Sequence, residues 1–216
     1  MDNSLGLIAV FASAFVIGFS GALMPGPMFA LVLSGSSKSG FKAGPLTVLG
    51  HGILELALVI ALVLGLGTIL QNETVFKSIG IIGGGVLVYL GIDMVRGMRR
   101  VTIDLKKEGK DPGKSLIFHG IVASLSNPYW IMWWATIGMA LILSASKYRL
   151  WGIVVFFCGH ILADLVWYSS VSFAVDRGRK LLSQKVYQGI IATCGVLLVG
   201  FGLYFLVLLG FLWVKV

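Results

Sequence analysis

The chain has 216 residues, of which 57% are hydrophobic and 12% charged, and its net charge is +8. An ordinary soluble domain carries about 25% charged residues, so this composition excludes a soluble globular protein and points to a chain dissolved in lipid. The two cysteines, Cys158 and Cys194, fall inside apolar stretches and imply no disulfide.

A hydrocarbon core needs about 20 residues of helix, and apolar blocks of that length follow one another with short polar joints between them. Six spans are read: about Leu7–Leu33, Pro45–Leu66, Ser78–Val95, Leu116–Leu143, Leu150–Val175 and Gly189–Trp213. Continuous blocks without two-residue alternation exclude a β-barrel. The first span lacks a basic leader and follows Asp2, so it is expected to remain in the mature protein rather than act as a cleaved signal.

The first span contains "GALMPGPMFAL", with Pro25, Gly26 and Pro27 in the middle of an apolar run. Proline removes a backbone donor and displaces the carbonyl four residues earlier, so Pro25 should loosen Gly21 and Pro27 should loosen Leu23. Freed backbone groups are tolerated at membrane depth only when buried in protein or facing a wet cavity. Two readings follow: a simple kink, or a discontinuous helix whose ends form a polar site. In the second span His51 and Glu55 are four residues apart and share one helix face.

The joint from Arg96 to Ser115 is long, basic and polar, and its Asp111-Pro112-Gly113 is a turn signal. In the fourth span Asn127-Pro128 interrupts another apolar run, and Pro128 should loosen Ser124 as the earlier prolines do their own targets. The fifth span repeats the face of the second, with His160 and Asp164 again four apart and Tyr168 and Ser172 extending the stripe. Ionisable residues at mid-span are costly and by default mark a substrate or ion path. The plainer alternative is that each acid pairs with its own histidine as a structural couple.

If the spans alternate, 13 of the 17 basic residues fall on one side, which the positive-inside rule places in the cytoplasm with both termini outside. The charge is thereby explained without nucleic acid. The halves also resemble each other: "GHGILEL" from Gly50 matches "GHILADL" from Gly159 as Gly-His-x-x-x-acid-Leu, and "GVLVYLGI" from Gly85 resembles "GVLLVGFG" from Gly195. A three-span unit copied in tandem crosses the bilayer upside down. The expected fold is therefore an all-α integral membrane protein of six transmembrane helices in two inverted three-helix repeats, with helices 1 and 4 broken at proline. Its parts are residues 1–95, a cytoplasmic joint at 96–115, and residues 116–216. Such repeats suit alternating access, although a duplicated scaffold that serves only packing has the same pattern.

At these residues the chain resembles the lysine exporter (LysE/RhtB) family of small amino-acid efflux permeases. The resemblance rests on the length, the six spans, Pro25-Gly26-Pro27, "SGFKAG" from Ser39, the acid Glu55, the basic joint and Asn127-Pro128. It implies a multi-pass protein of the cell membrane, a secondary exporter of cationic or small neutral amino acids working by proton antiport, with no cofactor; no enzymatic activity is expected, since no His-Glu-x-x-His, Gly-x-Ser-x-Gly or phosphate-loop pattern occurs in the sequence. The substrate site is expected at Gly21, Pro25, Gly26, Pro27, Glu55, Asn127, Pro128 and Asp164, with Glu55, Asp164, His51 and His160 coupling to protons. The alternative is a divalent metal cation exporter of the same superfamily, in which His51, Glu55, His160 and Asp164 form a nitrogen-and-oxygen site. Partners are the amino acid, protons and the lipid bilayer, and a homodimer is compatible with the sequence.

Overall fold

The computed structural model describes residues 3–66, 69, 72–97, 113–178 and 184–214. Those residues are helical throughout apart from short turns. Helices α1 (Asn3–Ala22), α2 (Pro27–Ser39), α3 (Ala43–Ala61) and α4 (Glu73–Gly97) are followed by α5 (Gly113–Leu125), α6 (Pro128–Trp133), α7 (Met139–Ser146), α8 (Arg149–Gly178) and α9 (Gln184–Val214). A 3₁₀ turn at Gly40–Lys42 joins α2 to α3, and π turns occupy Leu62–Leu66 and Trp134–Gly138. Residues 98–112, with most of the basic joint, lie outside the described residues.

Among the described residues, five helical stretches are long and apolar enough to cross a membrane: Ser4–Ala22, Pro27–Leu66, Tyr129–Ser146, Arg149–Gly178 and Gln184–Val207. The second stretch is longer than any sequence block because α2, the 3₁₀ turn and α3 run on without a gap. Gly40 makes that turn with φ of 65°, a left-handed conformation that glycine adopts without steric cost. Large apolar side chains such as Leu64, Leu150 and Trp151 remain exposed on the outside of the bundle, as a lipid-facing surface requires.

Both proline sites break a helix rather than bend one. Gly26 is extended at φ −160° and ψ −171°, and Pro27 opens α2 as its first residue; Asn127 is likewise extended, and Pro128 opens α6. Proline suits the first helical position because its missing N–H has no intrahelical partner there. Two of the three carbonyls expected to be loosened behave differently from expectation. Gly21 accepts from Met24 N at 3.2 Å and Ser124 accepts from Asn127 N at 3.0 Å, so neither is left free. The chain closes each end with a tight three-residue bond before turning into the next helix.

Packing pairs elements across the two halves of the chain. Helix α1 lies along α8 and α5 lies along α3, while α4 lies along α9. Glycines set these approaches. Helix α3 presents Gly50 to the Ile117 carbonyl, and a Cβ on Gly159 of α8 would sit 2.7 Å from the Phe11 carbonyl oxygen. Between α4 and α9 the contact is reciprocal: a Cβ on Gly84 would lie 2.9 Å from the Gly202 oxygen, and one on Gly202 2.6 Å from the Gly84 oxygen. Gly91 and Gly195 face each other in the same way.

Candidate functional site

The glycine-histidine pair in each half has a local reason. Gly50 and Gly159 let a neighbouring backbone come close, which holds α3 and α8 so that the adjacent His51 and His160, and the acids one turn later, point into the bundle. All four are buried: His51 is 5% exposed, Glu55 1%, His160 3% and Asp164 3%.

The two pairs interlock. Nε2 of His51 lies 3.0 Å from Oε1 of Glu55 and 3.8 Å from Oδ2 of Asp164. Nε2 of His160 lies 3.1 Å from Oε2 of Glu55 and 3.6 Å from Oδ2 of Asp164. Each histidine therefore faces both acids, and the arrangement is one four-membered cluster rather than two separate couples. Burying that many ionisable groups is tolerable only when they are paired.

Around the cluster the supports are unequal. Nδ1 of His51 lies 2.7 Å from Ser124 Oγ, which itself donates to the Gly120 carbonyl at 2.8 Å. Nδ1 of His160 is buried without a hydrogen-bond partner, and its ring instead stacks on Trp133 with centroids 4.8 Å apart. The indole N–H groups of Trp130 and Trp134 both donate to Glu55 Oε1 at 2.9 Å, and that of Trp133 donates to Ser20 Oγ at 3.0 Å. The π turn that starts at Trp134 accompanies this inward arrangement of two successive tryptophans.

The cluster forms one wall of a cavity of about 40 Å³ where both helix breaks meet, lined also by Gly21, Met24, Gly26, Met28, Ser124, Asn127 and Tyr168. A buried water needs about 10–15 Å³ of such space, so the cavity has room for a few waters but not for an amino acid. Of the residues singled out in the sequence, Gly21, Gly26, Asn127, Glu55, Asp164, His51 and His160 surround one cavity. Pro25 does not; it faces an apolar groove with Phe29, Trp167 and Cys194. Pro27 and Pro128 stand at helix starts.

The tryptophans are what the sequence reading missed, because "YWIMWW" in an apolar run looks the same whether it faces lipid or an acid. Their clustering just after the Asn127-Pro128 break was the available signal. Ligand atoms of His51, Glu55 and Asp164 lie within 4.8 Å of one another, a spacing that a metal ion could span.

A family profile described as LysE type translocator matches residues 19–209. The chain is 27% identical over 197 residues to YcgF of Bacillus subtilis, covering 91% of this chain and 94% of that protein, whose name assigns it provisionally to amino acid efflux. It is 28% identical to the chemotactic transduction protein ChpE of Pseudomonas aeruginosa, covering 90% and 96%. The membrane protein YahN of Escherichia coli is 28% identical, covering 77% of this chain and 74% of its own, and its name assigns no function. No solved structure matches the chain.

Proposed function

Because this chain belongs to the LysE type translocator family and is a multi-pass membrane transporter rather than an enzyme, we propose that it exports amino acids from the cytoplasm by proton antiport with alternating access. The observation that carries the proposal is the buried cluster of two carboxyls and two imidazoles where two broken helices meet. Every close imidazole-carboxyl contact in it needs a proton between nitrogen and oxygen, so the cluster is a store of exchangeable protons beside the cavity. A substrate ammonium competes for the same oxygens. Binding of one therefore favours release of the other, which is the linkage an antiporter requires.

The cavity is too small for an amino acid, so loading must widen it. The extended joints at Gly26 and Asn127 are the natural hinges, since α2 and α6 each begin there and can tilt without breaking a helical ladder. On this reading Gly21, Gly26, Asn127 and Asp164 meet the substrate, Pro27 and Pro128 fix the hinges, and Pro25 shapes the first break from outside the cavity. Glu55, Asp164, His51 and His160 carry the protons.

The whole architecture is proposed to be two inverted three-helix repeats, residues 1–95 and 116–216, in the cell membrane with both termini outside. Two features support it. The pairing of α1 with α8 becomes that of α5 with α3 when the halves are exchanged. The reciprocal contacts of Gly84 with Gly202 and Gly91 with Gly195 are those of two antiparallel helices related by a twofold axis.

The metal reading rests on the spacing of His51, Glu55 and Asp164. Against it, Glu55 Oε1 already receives two indole N–H groups, which leaves that carboxylate only Oε2 for a metal. Counterflow in proteoliposomes, run against a panel of amino acids and divalent metals, separates the two. Exchange of at least one amino acid and of no metal is expected; exchange of a metal alone refutes amino-acid export.

A further inference from the structure

The two acids of the cluster do not have equal capacity for a ligand. Around Oε1 of Glu55 stand four nitrogens: Nε1 of Trp130 and of Trp134 at 2.9 Å, Nε2 of His51 at 3.0 Å and Nε2 of His160 at 3.3 Å. A carboxylate offers about four lone-pair sites over its two oxygens, so this oxygen is filled. The other oxygen, Oε2, makes no hydrogen bond but has the same His160 Nε2 against it at 3.1 Å.

Asp164 is the opposite case. Its side chain is 4% exposed and lines the cavity, yet Oδ2 has no hydrogen-bond partner, and both imidazole nitrogens stand off at 3.6 and 3.8 Å. A buried acceptor without a donor is destabilising, and the side from which a donor can reach it is the cavity. Tyr168 lies one turn further along the same face of α8, and Met24 and Met28 close the cavity with apolar surface.

We propose that Asp164 alone receives the substrate's ammonium group while Glu55, held by Trp130 and Trp134, does not touch the substrate. The site then accepts one cationic group, and the rest of the ligand meets methionine and aromatic surface. A substrate with an apolar side chain fits this; lysine or arginine brings a second cation for which no acceptor is left. The inference rests on the amino-acid reading for the nature of the amine, and refines it by giving the two acids different tasks.

The test is equilibrium binding to purified full-length protein in nanodiscs, with L-leucine, L-lysine and n-butylamine as probes, on wild type, Asp164→Asn and Glu55→Gln. Both variants are near-isosteric, and the Gln amide oxygen still accepts the indole N–H groups, so size-exclusion profiles should match the wild type. The expected result is that Asp164→Asn weakens binding of leucine and butylamine about 30-fold or more, as loss of a buried charged partner does. The effect of Glu55→Gln falls instead on gradient-driven export, and leucine binds more tightly than lysine. Amine binding that survives in Asp164→Asn and is lost in Glu55→Gln overturns the assignment, as does tighter binding of lysine. If wild type takes butylamine but no amino acid, the amino-acid reading fails while loss of the amine in Asp164→Asn upholds the role of Asp164. Absence of all amine binding in wild type overturns it.

Discussion

Nε2 of His160 lies closer to Oε2 of Glu55, at 3.1 Å, than to Oδ2 of Asp164 on its own helix, at 3.6 Å. The stronger pairing thus runs between the halves of the chain, from α8 to α3. In the proposed transport cycle, movement of one half against the other would strain or break this contact.

The tryptophan donors give a first prediction. Trp130→Phe and Trp134→Phe keep an aromatic ring and remove one N–H each from Glu55, and a hydrogen bond to a charged group is worth about 1.5–3 kcal/mol. Each variant should insert normally and export more slowly. Combined with Glu55→Gln in a double-mutant cycle, either tryptophan should be strongly non-additive; additive losses would mean the indoles act only through packing.

Glycine substitutions test the helix crossings with an unusual sign. Alanine in place of helical glycine ordinarily stabilises, by up to about 1 kcal/mol. At Gly50 and Gly159 the new Cβ meets the backbone carbonyls of Ile117 and Phe11, so Gly50→Ala and Gly159→Ala should destabilise by about 1–3 kcal/mol. Gly85→Ala and Gly189→Ala meet nothing within 4 Å and serve as controls. Thermal unfolding in detergent should rank the first pair below wild type and the controls level or above it. Equal melting of all four would remove the close crossing from the account.

Much of this was legible in the chain, for identifiable reasons. Hydrophobic blocks gave the helices, and Pro27 and Pro128 marked breaks because proline can open a helix but not continue one. The recurrence of Gly-His-x-x-x-acid found all four members of the cluster. Their cross-pairing was not legible, since four-residue spacing shows only that a histidine and its own acid share a face. Nor was the fate of the carbonyls of Gly21 and Ser124: proline chemistry frees them in principle, but a local three-residue bond recaptures each. The contacts of Trp130, Trp133 and Trp134 depend on the rotation of α6 and of the π turn that follows it, which no periodicity over so few residues fixes.

The hinges should answer to substitutions that restore helix. Pro27→Ala and Pro128→Ala lift the restriction on the preceding residue, and Asn127→Ala also removes a cap that accepts from Tyr129 N at 3.1 Å, at a cost of about 1 kcal/mol. Transport should fall in each variant while surface expression holds. Undiminished transport in all three would show that the breaks do not serve as hinges.

Membrane topology is open to direct labelling. With both termini outside and residues 96–115 in the cytoplasm, cysteines introduced at Ser4 and Glu108 should react with an impermeant maleimide from opposite sides of the cell membrane. Reaction from one side would rule out three crossings in the first half, and with them the inverted repeat.

The central claim is proton-coupled export through the cluster, and gradient-driven efflux from proteoliposomes tests it most directly. Vesicles are loaded with the radiolabelled amino acid that shows counterflow, and the outside is made acidic relative to the lumen. Efflux through the wild type should accelerate with the imposed gradient and return to baseline with a protonophore, and Glu55→Gln should lose the acceleration. Efflux that proceeds at the same rate with and without the gradient, in wild type and variant alike, would contradict the account.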